Sequence, residues 1–130
     1  MNKYLADTTV LIEHLRRNEK ATEFIEKNNP SISIVTIAEL IQGARDAREQ
    51  SLSIKLSNSM VHVFIDRKIS NLALELLFKF HLSNGLNFWD AIIAASALDS
   101  KLILITENIK HFRFIPSLKV PLQKEAFAEL

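Results

Sequence analysis

Cysteine is absent from this 130-residue chain. That excludes a disulfide scaffold, a thiolate metal site and a cysteine nucleophile. Glycine occurs twice and proline three times, so long flexible linkers are not expected. No apolar run approaches the roughly 20 residues of a membrane-spanning helix. The opening residues 1–7 show no basic stretch followed by a long apolar one, so no secretory leader is expected. A dominant charge is also missing: 16 basic and 15 acidic residues leave a net charge of +1. Nucleic-acid binding therefore does not follow from charge, and any case for it must come from a site.

What is present is an ordinary globular mixture, 48% hydrophobic and 24% charged. The length suits one core, and residues 1–130 are read as a single domain. The composition is compatible with a reducing cytoplasm, which is the expected location.

The chain alternates strand and helix signals. Residues 3–6 form a short apolar segment ending at Asp7, read as a first strand, with Thr8 and Thr9 able to cap the helix that follows. Residues 20–27 continue as helix until Asn28-Asn29-Pro30. Residues 31–35 alternate small polar and β-branched apolar types and read as a second strand, with Thr36 as the cap of a helix carrying Ile37, Leu40 and Ile41. Gly43 either weakens that helix or admits another backbone. Residues 47–59 read as a solvated helix and 61–65 as a third strand. Asp66 reads as the cap of a long helix carrying Ile69, Leu72, Ala73, Leu76, Leu77 and Phe80, ended by Gly85. Residues 88–98 form a very apolar helix and 102–105 a buried strand. Residues 108–112 read as a turn or short helix, and 118–120 as a short last strand.

Strands separated by helices imply parallel pairing, because parallel neighbours need a crossover. Right-handed crossovers then place helices on both faces, giving a three-layer α/β/α fold with a mainly parallel sheet. In such sheets ligands bind beyond the carboxyl ends of the strands. Asp7, Glu39 and Asp90 all land there, with Thr106 and Asn108 after the fourth strand. Packed carboxylates repel, and a hard divalent cation offsets that repulsion. A cation so held lowers the pKa of a bound water and stabilises charge on a phosphodiester. Metal-assisted phosphodiester hydrolysis is the chemistry that follows, with Mg²⁺ or Mn²⁺ as cofactor. Glu39 is also the candidate to orient or deprotonate the attacking water.

Each acid has a plainer reading beside this one. Asp7 serves equally as a helix cap, and Glu39 and Asp90 as first-turn acids that complement a helix dipole. Asp90, though, stands among Phe88, Trp89, Ala91, Ile92 and Ile93, where an unpaired charge is costly. His14, His62, His81 and His111 show no metal-ligand spacing and read as surface or packing residues. Asp66, Asp99, Glu13 and Glu107 read as caps or solvated charges, and Trp89 as a core or interface residue. Arg16, Arg17, Lys20, Arg45 and Arg48 are candidates for phosphate contacts, although solvated helix faces explain them equally well. A phosphoacceptor signalling domain is a rival on a similar fold; it would use Asp66 with Asp7 and Thr106 nearby, and leaves Glu39 and Asp90 unexplained.

The same residues resemble the PIN domain, and within it the VapC-type toxins of VapBC toxin–antitoxin pairs. Leu5-Ala6-Asp7-Thr8-Thr9-Val10-Leu11-Ile12 is similar to that family's first strand and metal-binding Asp. Residues 33–40 with Gly43 resemble the second motif, which makes Glu39 the second acidic ligand. Residues 90–97 resemble the third, with Asp90 as ligand. Residues 104–108, then His111 and Phe112, resemble the fourth. Many PIN domains carry a fourth acid where this chain has Asn108, which weakens the case for a firmly held second ion. The resemblance implies a Mg²⁺-dependent endoribonuclease, an RNA substrate, a homodimer and a VapB-type antitoxin partner. Thr8, Thr106 and Asn108 would bond the carboxylates or metal waters. A catalytically degenerate PIN domain that only binds a partner is the alternative.

Overall fold

The computed structural model describes residues 2–128; Met1, Glu129 and Leu130, the ends of the expected 1–130 domain, lie outside the described residues. The first strand, β1 (Tyr4–Ala6), leads into α1 (Thr8–Leu15) and α2 (Glu19–Asn28). Then come β2 (Ser31–Ser33), α3 (Ile34–Gly43), α4 (Ala47–Asn58) and β3 (Val61–Val63). The long α5 (Arg67–Asn84), α6 (Phe88–Ser100) and β4 (Ile103–Ile105) follow, with a 3-10 turn at Ile109–His111 and a final α7 (Gln123–Ala128).

The four strands form one sheet in the order β3-β2-β1-β4, and every pairing is parallel. β1 therefore sits between β2 and β4, so the chain leaving it emerges at the middle of the sheet. The strands alternate between two cores, as the two-residue period of an extended chain requires. Leu5 and Leu104 face a core built on Ile69, Ala73 and Leu76 of α5 and the apolar run Ala91–Ala97 of α6. Tyr4, Ala6, Ile32 and Ile105 face the other, with Val10 and Leu11 of α1, Phe24 of α2 and Phe127 of α7. This is the expected three-layer arrangement.

Helix ends match local chemistry. Asp66 accepts the Ile69 amide at 2.9 Å, and Gly85 closes α5 with φ of 72° in the left-handed region that favours glycine. Leu72, Leu77 and Phe80 pack against the α5–α6 core, while Leu74, Phe78 and Leu82 occupy the opposite, exposed face of α5.

Several local expectations change. The second strand stops at Ser33, not Val35, because Ser33 Oγ accepts the Val35 amide at 3.1 Å and starts α3 there. Thr36 is thus no cap but a fully buried residue inside the helix. Thr8 and Thr9 are likewise helical residues rather than caps. Gly43 ends α3 without admitting another backbone, since the space where a Cβ would stand is open. Residues 118–120 form no strand; one bond, Leu104 amide to Lys119 carbonyl at 2.9 Å, is what the alternating Leu118 and Val120 reflect. The third strand is also cut short at Val63, leaving Phe64 and Ile65 exposed.

Candidate active site

The sheet order brings the proposed residues to one edge. Asp7 follows β1 at the N-cap position of α1, yet its side chain is not used as a cap. Instead its Oδ2 accepts the hydroxyl of Thr106, which follows the neighbouring β4, at 2.8 Å. Both residues are buried, Asp7 at 6% exposure and Thr106 at 0%. Because β1 and β4 pair in parallel and in register (Ala6 opposite Ile105), residues 7 and 106 leave the sheet side by side. The Asp7 amide also reaches Ile105 O at 2.9 Å.

Glu39 comes from the other neighbour. Since α3 begins at Ile34, Glu39 falls in its second turn, and no acid lies in the first. The helix-dipole reading of Glu39 therefore fails, because that effect fades beyond the first turn. Its Oε1 accepts the Thr8 hydroxyl at 2.8 Å, and Thr36 Oγ1 lies 3.4 Å from the same hydroxyl. Thr8 links α1 to α3 and stands next to Asp7 in the chain.

Asp90 keeps part of its plainer role. It is in the first turn of α6, its amide bonds Asn87 Oδ1 at 2.8 Å, and Asn87 Nδ2 donates to Asp90 Oδ2 at 3.3 Å. The capping explanation does not account for a third contact: His111 Nδ1 lies 3.2 Å from the same oxygen.

The three acids act on one another. Burial is the main reason Asp7 is pushed above the ordinary carboxylate range, with Thr106 and the Thr8 backbone pulling it back and Asp90 raising it further. Glu39 is raised by burial and by Asp7, against the Thr8 bond. Asp90 is raised by burial, lowered by His111 and Asn87, and raised by Glu39. Each carboxylate thus feels at least one of the others as a like charge, which a cation would relieve. Among the described residues no three His, Cys, Asp or Glu side chains are gathered tightly enough to hold a metal ion by themselves. An oxygen-only set this open fits an ion that keeps most of its waters, as Mg²⁺ does, rather than one enclosed by protein.

The remaining candidates divide. Asn108 is exposed; its backbone amide donates to Thr106 Oγ1 at 3.0 Å, so this tie to the site runs through the main chain. Thr9 Oγ1 accepts the Glu107 amide at 3.0 Å and fastens the loop after β4 to α1. Arg16, Arg17, Arg45 and Arg48 line one groove together with Glu39, between α1, α3 and α4; Lys20 is not among its lining residues. Arg45 is already paired there with Glu49, with Nη2 to Oε2 at 2.8 Å, and that pairing holds Glu49 down to about 2. Asp66 spends a carboxylate oxygen on the α5 cap and follows the edge strand β3, separated from β1 by β2. It does not join Asp7 and Thr106, so the phosphoacceptor reading loses its geometry.

His111, read as one of four surface or packing histidines and as part of the fourth motif, is exposed as expected, but its contact with Asp90 was not foreseen. The fully buried Phe112 beside it fixes the 3-10 turn and so carries His111 to Asp90. Asn87 was missed altogether; the available signal was an Asn three residues before an acid at a helix start.

A family model for the PIN domain matches residues 4–115. The chain belongs to the PIN domain family. Within it, Ribonuclease VapC10 of Mycobacterium tuberculosis is 34% identical over 122 residues, covering 90% of this chain and 91% of the relative. Ribonuclease VapC19 of the same organism is 28% identical, with 90% and 98% covered. Among solved structures, a toxin–antitoxin complex from Klebsiella pneumoniae superposes with a TM-score of 0.78 at 27% identity, covering 93% of this PIN domain and 98% of the matched chain. A DNA-bound VapBC from Salmonella typhimurium matches the fold with a TM-score of 0.77 at 21% identity, over 93% and 98% of the two chains. The PIN fold accounts for Asp7, Glu39 and Asp90 meeting at one sheet edge although they lie far apart in the sequence.

Proposed function

We propose that this PIN domain, taken as one domain over the whole chain, is a divalent-metal-dependent endoribonuclease and the toxin of a type II toxin–antitoxin pair. The observation that carries the reading is the convergence of Asp7, Glu39 and Asp90 at one end of the sheet, where Thr106 and Thr8 hold one oxygen of Asp7 and Glu39 and Asn87 holds one of Asp90; burial first, and then a neighbouring acid, raises each of them. The names of the relatives, ribonucleases and toxin–antitoxin complexes, support the same class. A partner-binding domain without activity would have no need to keep three repelling acids at one edge.

Mg²⁺ or Mn²⁺ bound at Asp7, Asp90 and Glu39 would activate a water and offset charge on the phosphodiester. The chain's own residues do the rest. Thr106 and Thr8 each hold one oxygen of Asp7 and Glu39, leaving the other for the cation. Glu39, on the open side, is placed to orient the attacking water or take its proton. Arg16, Arg17 and Arg48 supply positive charge in the adjoining groove for RNA phosphates. A VapB-type antitoxin, a homodimer and a cytoplasmic location belong to this reading. No helix of the described residues is long and apolar enough to cross a membrane.

Purified protein freed of any antitoxin is expected to cut RNA with Mg²⁺ or Mn²⁺ and to stop in excess EDTA. Undiminished cleavage in EDTA would sink the metal assignment. Growth arrest on expression alone, relieved by the partner gene, tests the toxin role, and sedimentation tests the dimer.

A further inference from the structure

Two side chains approach the same oxygen of Asp90. Asn87 Nδ2 reaches Oδ2 at 3.3 Å and His111 Nδ1 reaches the same atom at 3.2 Å. A carboxylate can only accept, so this 3.2 Å contact becomes a hydrogen bond when Nδ1 carries the proton. That holds for the neutral ring, whose lone pair is then on Nε2, and equally for the charged ring. The donors come from separate elements, the cap of α6 and the 3-10 turn after β4, so they approach the carboxylate independently. The turn is rigid for its length: the His111 amide bonds Asn108 O at 2.9 Å, the Phe112 amide bonds Ile109 O at 3.0 Å, and the Phe112 ring is fully buried.

We infer that His111, together with Asn87, is a positioning residue for Asp90, clamping Oδ2 so that Oδ1 is left for the cation. The inference rests on the nuclease reading above. It assigns to Asp90 the arrangement that Thr106 gives Asp7 and Thr8 gives Glu39: one oxygen taken by a donor of the chain, the other kept for the ion. The clamp has a reason. Glu39 repels Asp90, and Asp90 sits partly in the open, so an unheld carboxylate would turn away from its fellow acids toward water. Fixing it before the ion arrives removes that reorientation from the cost of binding.

The test is calorimetric titration of the full-length protein with Mg²⁺ in the absence of RNA. His111→Ala is expected to weaken the ion about ten- to a hundredfold, the range typical for losing such an outer partner. His111→Asn places an amide N–H near the Nδ1 position and should recover most of the affinity. His111→Gln, whose amide reaches toward the Nε2 position, should not. Asn87→Ser keeps a good helix cap but loses the amide donor, and should weaken the ion without lowering the melting temperature of the metal-free protein. Wild-type affinity in His111→Ala overturns the inference, as does equal affinity in the Asn and Gln variants. Asp90→Asn separates the two levels. If it binds Mg²⁺ as the wild type does, the metal-site reading itself has failed. If it loses the ion while His111→Ala does not, only the clamp has failed.

Discussion

Thr106 and Asp7, 99 positions apart, share a buried hydrogen bond of 2.8 Å in which the threonine hydroxyl donates to Oδ2. The same oxygen of Thr106 accepts the Asn108 amide at 3.0 Å. One side chain thus fixes the deepest acid of the site and the loop that passes it. Parallel pairing of β1 with β4 makes this possible, because it carries both chain ends out of the sheet at the same level.

Thr106→Val keeps the shape and removes both bonds. Leaving a buried acceptor unpaired costs about 1–3 kcal/mol, so metal-free stability at neutral pH should fall by that order in a denaturant titration. RNA cleavage should fall about ten- to a hundredfold. Thr8→Val is the useful comparison. It removes the donor to Glu39, which stands on the exposed side, so activity should drop with little change in stability. Equal stability losses in the two variants would contradict the burial argument.

The fold and the three acids were legible in the sequence because each rests on a local signal read along the chain. Alternation between strand and helix gave the parallel sheet, and the strand ends gave Asp7 and Thr106. Lengths and caps were less legible. Ser33 and Thr36 are both competent caps by type, and only the packing of Thr36 beside Thr8 shows that Ser33 is the one used. α7 went unread, since its six residues gain their place from Ala126 and Phe127 packing into the α2 side of the core. His111 was visible as a residue but not as a partner of Asp90, because that contact depends on how the 3-10 turn folds back over α6.

Asp7→Asn and Asp90→Asn should each reduce cleavage by more than the ~100-fold that loss of an outer partner gives, since each removes a ligand charge. Both should raise the melting temperature of the metal-free protein. The wild-type acids are raised by burial and by like charge, and the amide removes both penalties while retaining a carbonyl to accept from Thr106 or His111. Wild-type activity in either variant would refute the ligand assignment. A lowered melting temperature in both would refute the repulsion argument.

The pH dependence carries a definite sign. Asp7, Glu39 and Asp90 are all raised in the folded chain, so between the ordinary carboxylate range, about 4, and those raised values the folded state binds more protons than the unfolded one. Unfolding free energy then falls as pH rises through that window. The Glu49 pairing acts in the opposite sense, but Glu49 is held at about 2 and its contribution is complete above the ordinary range. Without divalent metal, the melting temperature of wild type should therefore decline as pH rises above the ordinary carboxylate range, until the three acids are ionised. Asp7→Asn should decline less. Saturating Mg²⁺ should flatten or reverse the slope, because the ion binds the ionised acids. A metal-free melting temperature that rises across this range in wild type, and rises equally in Asp7→Asn, would exclude net repulsion at the site.

On the proposed metal-dependent reading, Asn108 bears on how many ions the site would hold. Three acids are enough for one dication that keeps its waters, but two dications beside three carboxylates leave excess positive charge until RNA phosphate arrives. The position where many PIN domains carry a fourth acid is neutral here. The structure makes the substitution clean, because the tie from residue 108 to Thr106 runs through its backbone amide, which any residue but proline retains. Asn108→Asp adds a negative charge without removing that bond. It should raise the affinity of a weak second Mg²⁺ in calorimetry, leave the tight one within about a factor of a few, and lower the Mg²⁺ concentration for half-maximal cleavage. Raising the ionic strength should shrink the difference between the two proteins, as expected for a charge near the surface. Two equally tight ions in the wild-type protein would show that residue 108 does not limit the site. A lower Mg²⁺ affinity in Asn108→Asp would show instead that its amide side chain supports the neighbouring acids.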